Sequence, residues 1–116
     1  MNPPPDPDSW RTVHEPDQRL ETGLTDTYRY YHDHPGLEPI MRDIEALPIW
    51  VREQLADRLR RAIEVLSEGW SEGESKLRTA AISHALDFYT YRSLLLRQQL
   101  SIAQAVALMV RLVRAA

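Results

Sequence analysis

The sequence contains no cysteine. That excludes disulfide scaffolds, thiolate zinc sites, iron–sulfur clusters and cysteine nucleophiles, and leaves only a mild lean toward the cytosol. No long apolar run is present either: the longest, Ala105–Val110, spans six residues, whereas a membrane-crossing helix needs about twenty. A basic excess is also missing, because 14 Lys and Arg stand against 17 Asp and Glu, for a net charge of −3. Autonomous nucleic-acid binding is disfavoured by that balance. The first residues, Met1–Asp8, are acidic and proline-rich, with neither the basic n-region nor the apolar h-region of a secretory signal, so the chain is expected to be cytoplasmic. Proline does not occur after Pro48, and only Gly69 and Gly73 interrupt the rest. β-branched clusters with period-two alternation are lacking, as is any internal repeat.

What is there fits one small all-α domain. The chain has 116 residues, enough for a single hydrophobic core without staples. Apolar residues at 43% and charged residues at 27% place it among ordinary globular proteins. Ala, Leu, Arg, Glu and Gln dominate beyond Pro48, and all are good helix formers. Residues 1–14 read as a disordered Pro/Asp-rich tail, and residues 15–116 as a bundle of four to five helices.

The first helix is expected from Pro16 to His34. Proline suits the first helical turn, and Leu20, Leu24, Thr27, Tyr28 and Tyr31 recur on one face. Pro35-Gly36 ends it, a short helix covers Leu37–Ala46, and a third runs from Pro48 to Glu68 with a narrow stripe of Leu55, Leu59, Ala62, Ile63 and Leu66. A single helix from Ser75 to Gln98 follows, apolar round more than half its circumference. The last begins at Ser101-Ile102-Ala103-Gln104, an S-x-x-Q capping box. A helix that is apolar nearly all round must be buried on two sides. One of these last two helices therefore lies at the centre of the monomer, or both form a dimer, with the two-fold dimer expected.

Three groups of residues could carry chemistry. His84, Asp87 and Arg92 interrupt the apolar arc of the fourth helix. They read as an anchor for a ligand's polar group, or as a satisfied His–Asp hydrogen bond beside a snorkelling arginine. No nucleophile stands in a telling position beside them, so a catalytic dyad is not expected. His32 and His34 point about 200° apart on a helix and cannot share an ion, so no metal site is expected. The aromatic residues Tyr28, Tyr30, Tyr31, Trp50, Trp70, Phe88, Tyr89 and Tyr91 form either plain core or the wall of an apolar pocket with polar tips.

The stretch Ala80–Leu94 (AAISHALDFYTYRSL), followed by Leu100-Ser101 and Ala105–Val113 (AVALMVRLV), resembles the last two long helices of the C-terminal regulatory domain in TetR-family transcriptional regulators. Tyr28-Arg29-Tyr30-Tyr31 before Pro35-Gly36, then Ile40–Asp43 and Leu47-Pro48, are similar to the preceding helices of that family in order and spacing. The resemblance covers about residues 15 to 116. It implies a non-enzymatic, cofactor-free domain that senses an effector and dimerises, with the last two helices of each subunit forming a four-helix bundle. The implied pocket comprises Tyr28, Tyr31, Met41, Trp50, Leu66, Trp70, His84, Asp87 and Phe88, open to a small apolar or amphipathic effector. The implied homodimer interface comprises Tyr89, Arg92, Leu96, Ile102, Val106, Met109, Val110 and Val113. The family's helix-turn-helix head has no counterpart in this sequence, so the chain by itself is not expected to bind DNA. Two other readings are a structural interaction bundle without a pocket, and a headless partner that modulates an intact regulator by heterodimerisation.

Overall fold

The computed structural model describes residues 3–71 and 73–116. Among these the chain is entirely helical, with no strand. Six α-helices order the fold: α1 Pro16–Asp33, α2 Leu37–Arg42, α3 Ile49–Leu66, α4 Ser75–Leu86, α5 Phe88–Arg92 and α6 Ile102–Ala115. Short 3-10 turns at Pro7–Thr12 and Ile44–Ala46 and a π-helical turn at Ser93–Arg97 join them.

Most boundaries fall where local chemistry puts them. Pro16 opens α1 at a position where its missing N–H costs no hydrogen bond. Pro48 serves as N-cap of α3. Gly69 and Gly73, with φ of 82° and 85°, turn the chain between α3 and α4 through backbone that L-residues disfavour. The capping box at α6 is complete: the Ser101 hydroxyl accepts the Gln104 N–H at 3.1 Å, and the Gln104 amide oxygen accepts the Ser101 N–H at 2.9 Å.

Three expectations need correction. The helix expected across Ser75–Gln98 breaks at Asp87, whose extended backbone (φ −64°, ψ 136°) separates α4 from α5. Its carboxylate accepts the Tyr89 N–H at 2.9 Å, so Asp87 starts a second helix where uninterrupted helix was expected. Beyond Arg92 the helix widens into the π-turn and reverses at Gln99 (φ 58°), where the Leu100 N–H reaches the Leu94 carbonyl at 3.0 Å. The short helix expected over Leu37–Ala46 is likewise two pieces, parted at Asp43.

The third correction concerns the N-terminal segment. Residues 7–12, read above as part of a disordered tail, form a 3-10 turn capped by Asp6, and Trp10 is only 2% exposed. Ion pairs fasten this strap to α3 and the residues just after it: Arg61 reaches Asp8 at 2.9 Å, and Arg11 reaches Glu68 at 2.8 Å. The Trp10 indole N–H donates to Asp26 of α1 at 2.9 Å. Burying an indole removes roughly 200 Å² from water, worth about 5 kcal/mol before entropy. Gly23 makes room on α1, where a Cβ would stand 2.9 Å from Leu66 and 3.2 Å from Trp10.

The core lies between α1, α3, α4 and α6, with Leu20, Leu24, Leu66, Ile82, Ala85, Ala105 and Val113 buried at its centre. Helix α6 lies along α1 and against α4, and its end returns to the start of α4, where Ala116 approaches Gly73. Of the two readings of the wide apolar arc on α6, a place at the centre of the monomer accounts for Ala105, Val106, Met109 and Val113, all buried.

Candidate functional site

Four aromatic rings gather where α1 meets the α4–α5 break. Tyr31 packs edge-on against Phe88 and Tyr91, each at 5.3 Å between centroids, and Tyr28 lies 5.6 Å from Tyr91. The two phenols of α1 bind the carbonyls that the break leaves without helical partners: Tyr28 donates to Ala85 at 2.6 Å and Tyr31 to Leu86 at 2.8 Å. Burial raises the pKa of both phenols above the usual tyrosine value, with the Asp87 carboxylate adding to the shift. Both therefore remain protonated donors at neutral pH. Tyr91 is shifted upward in the same direction, again mainly by burial.

Beside this cluster a cleft of about 480 Å³ opens between five parts of the fold. The strap supplies Pro4, Pro5, Pro7 and Trp10, and α1 supplies Thr27, Tyr30 and Tyr31. Leu37, Met41 and Ile44 close a second side, and α3 contributes Arg52, Leu55, Ala56, Arg58, Leu59 and Ala62. Leu86, Asp87, Phe88 and Tyr89 at the helix break complete it. Its volume and mostly apolar wall, with a few polar groups, match the ordinary form of a small-molecule site.

The structure distributes the expected pocket residues unevenly. Tyr31, Met41, Asp87 and Phe88 line the cleft together. Tyr28 and Leu66 sit wholly inside the core behind it. Trp50, at the start of α3, is 64% exposed and is not part of the cleft lining. Trp70 belongs to a separate polar hollow, where its indole donates to the Leu66 carbonyl at 2.9 Å and the Arg78 guanidinium lies 5.0 Å over its ring. His84 is exposed on the outer side of α4, its ring 3.4 Å from the Thr90 hydroxyl. It does not meet Asp87, because the helix ends between them and the i, i+3 spacing no longer brings their side chains together.

The expected interface residues also separate. Val106, Met109 and Val113 are core, and Ile102 and Val110 are half-buried against it. Arg92 turns to Glu38 near the start of α2, at 3.1 Å, tying α5 across the bundle. Tyr89 lies at the rim of the cleft, and Leu96 is exposed on the π-turn. The large apolar side chains left outward on the neighbouring helices α4 and α6 are Leu77, Leu108 and Leu112.

Sequence reasoning missed the wall formed by Trp10 and the strap prolines. A single tryptophan inside a Pro/Asp-rich run was the available signal, since an indole in a solvated tail has no reason to be there. His34 stacks on the Tyr30 ring at 4.1 Å, and its Nδ1 lies 2.8 Å from the Tyr30 carbonyl.

No family model matches this chain, and no curated protein or solved structure matches it.

Proposed function

We propose that this chain is an effector-sensing and dimerisation domain of the TetR type, acting by binding a small molecule and without catalysis. The observation that carries the reading is the cleft: about 480 Å³, walled by aromatic and aliphatic side chains from separate elements that close around one space. A ligand there would touch the strap, α1, α3 and the α4–α5 break at once, so occupancy would alter how those elements sit together. The TetR-type part of the reading rests on the sequence resemblance of Ala80–Leu94 and Ala105–Val113. For dimerisation, the support is the exposure of three leucines on two helices that pack together, Leu77 on α4 and Leu108 and Leu112 on α6.

A thermal-shift screen with lipophilic, aromatic, anionic and cationic compounds tests the reading. A compound at about 100 times its Kd should stabilise the fold by about 2.7 kcal/mol, readily seen as a rise in melting temperature. A broad panel that never moves the midpoint would instead favour a bundle that only mediates protein contacts.

A further inference from the structure

The polar groups around the cleft divide into those already engaged and those left open. The Thr27 hydroxyl donates to the Gly23 carbonyl at 2.7 Å, Tyr31 to Leu86 and the Trp10 indole to Asp26. The Asp87 carboxylate is held by the Tyr89 N–H. Only the Nε of Arg52 is engaged, donating to the Leu47 carbonyl at 3.2 Å. Among the described residues Arg58 has no hydrogen-bond partner, and neither arginine pairs with a carboxylate.

The contrast with the other arginines of α3 is specific. Arg60 pairs with Asp57, and Arg61 with Asp6 and Asp8. The two that line the cleft have no acidic residue three or four positions away on the helix: Pro48, Ile49, Gln54, Leu55, Ala56, Arg61 and Ala62 occupy those places. Two guanidinium groups against one capped carboxylate leave the cleft with a net positive charge and with forked donors suited to a carboxylate.

We propose that the cleft selects an amphipathic anion, a hydrophobic acyl or aryl chain ending in a carboxylate. The chain lies against Trp10, Phe88 and the leucines of α3, and the carboxylate accepts hydrogen bonds from the guanidinium groups of Arg52 and Arg58. This rests on the cleft being the small-molecule site. A neutral tail of the same length makes the apolar contacts alone. A cationic head meets two like charges and only one carboxylate.

Calorimetric titration of the full chain with decanoate, decanol and decyltrimethylammonium, each below its micellar range, separates the outcomes. Decanoate is expected to bind the most tightly of the three, and more weakly as salt is raised. The double variant Arg52→Gln/Arg58→Gln should lose about tenfold or more in decanoate affinity while decanol binding stays within a factor of two or so. A cleft-filling Ala56→Trp variant, folded by circular dichroism, should abolish binding of both. Equal affinity for decanol or for the cation, or a double variant that binds decanoate like the parent, would overturn the anion selectivity and leave the cleft as a site. Binding that survives Ala56→Trp, or no binding by any of the three, would overturn both.

Discussion

Tyr28 carries a phenol into the centre of the protein and ends a helix with it. The hydroxyl donates to the Ala85 carbonyl at 2.6 Å, one of the acceptors left open where α4 stops. Tyr28→Phe keeps the ring and strands that carbonyl, so a loss of about 1–3 kcal/mol is expected in urea denaturation. The same phenol gives the fold a pH dependence. Its pKa is raised by burial above the ordinary value of 10.0, so the folded state favours the protonated form. The associated stability is complete below about pH 10 and falls as pH rises above it, because unfolded chains then release the proton more readily. Tyr31, shifted the same way, acts in the same window. Denaturation midpoints measured from pH 8 to 11 should fall for the parent, with the slope shallower in Tyr28→Phe. The aromatic character of this region was legible from spacing on the first helix. The acceptors were not, since a carbonyl becomes free only when a distant helix ends.

Elements divide between those bounded by local chemistry and those bounded by packing. Pro16, Pro48, Gly69, Gly73 and Ser101 act within a few residues of themselves, and α1, α3 and α6 begin or end where they indicate. Asp87 is different. On local grounds it sits inside a helix-forming stretch, and its i, i+3 relation to His84 suggested a side-chain pair. The break there is stabilised by its own cap on Tyr89 and by the two tyrosines of α1. Asp87→Ala removes the cap without filling the core, for an expected loss of about 1 kcal/mol in denaturant titration. The exchange rate of the Tyr89 amide should rise with it. An unchanged amide would mean that the tyrosines alone hold the break. The strap reads oppositely: its Pro/Asp composition suggested disorder, yet buried Trp10 and the Asp6, Asp8 and Arg11 ion pairs hold it against α3.

At the scale of the whole molecule, most of the apolar helical surface goes into the chain's own core. The wide apolar arc of α6 is accounted for mostly inside the chain, where Val106, Met109 and Val113 meet α1 and α4. What remains outward on α6 is Leu108 and Leu112, and Leu77 is likewise exposed on α4. If these form the two-fold interface, sedimentation at micromolar concentration should give twice the chain mass of 13.5 kDa. Leu108→Glu/Leu112→Glu should then return the protein to a monomer of unchanged helicity, by placing like charges opposite each other across the axis. A parent that sediments as a monomer throughout that range contradicts the interface. Substituting Val106 or Met109 is expected to lower stability by about 2–4 kcal/mol and not to act on assembly alone.

By itself the sequence determined the helical class, the single core and the principal helix starts. Each follows from residue propensity, from prolines and glycines, or from a cap within one turn of the chain. Tertiary structure alone decided that residues 7–12 fold back as a wall, that the fourth helix breaks at Asp87, and which arc of α6 faces inward. Each of these depends on groups far apart in sequence: Trp10 on Asp26, Tyr28 on Ala85, and Arg61 on Asp8. The cleft belongs to the same category. Its walls come from the strap, α1, α3 and the helix break, and only their packing puts Trp10, Arg58 and Phe88 around one space.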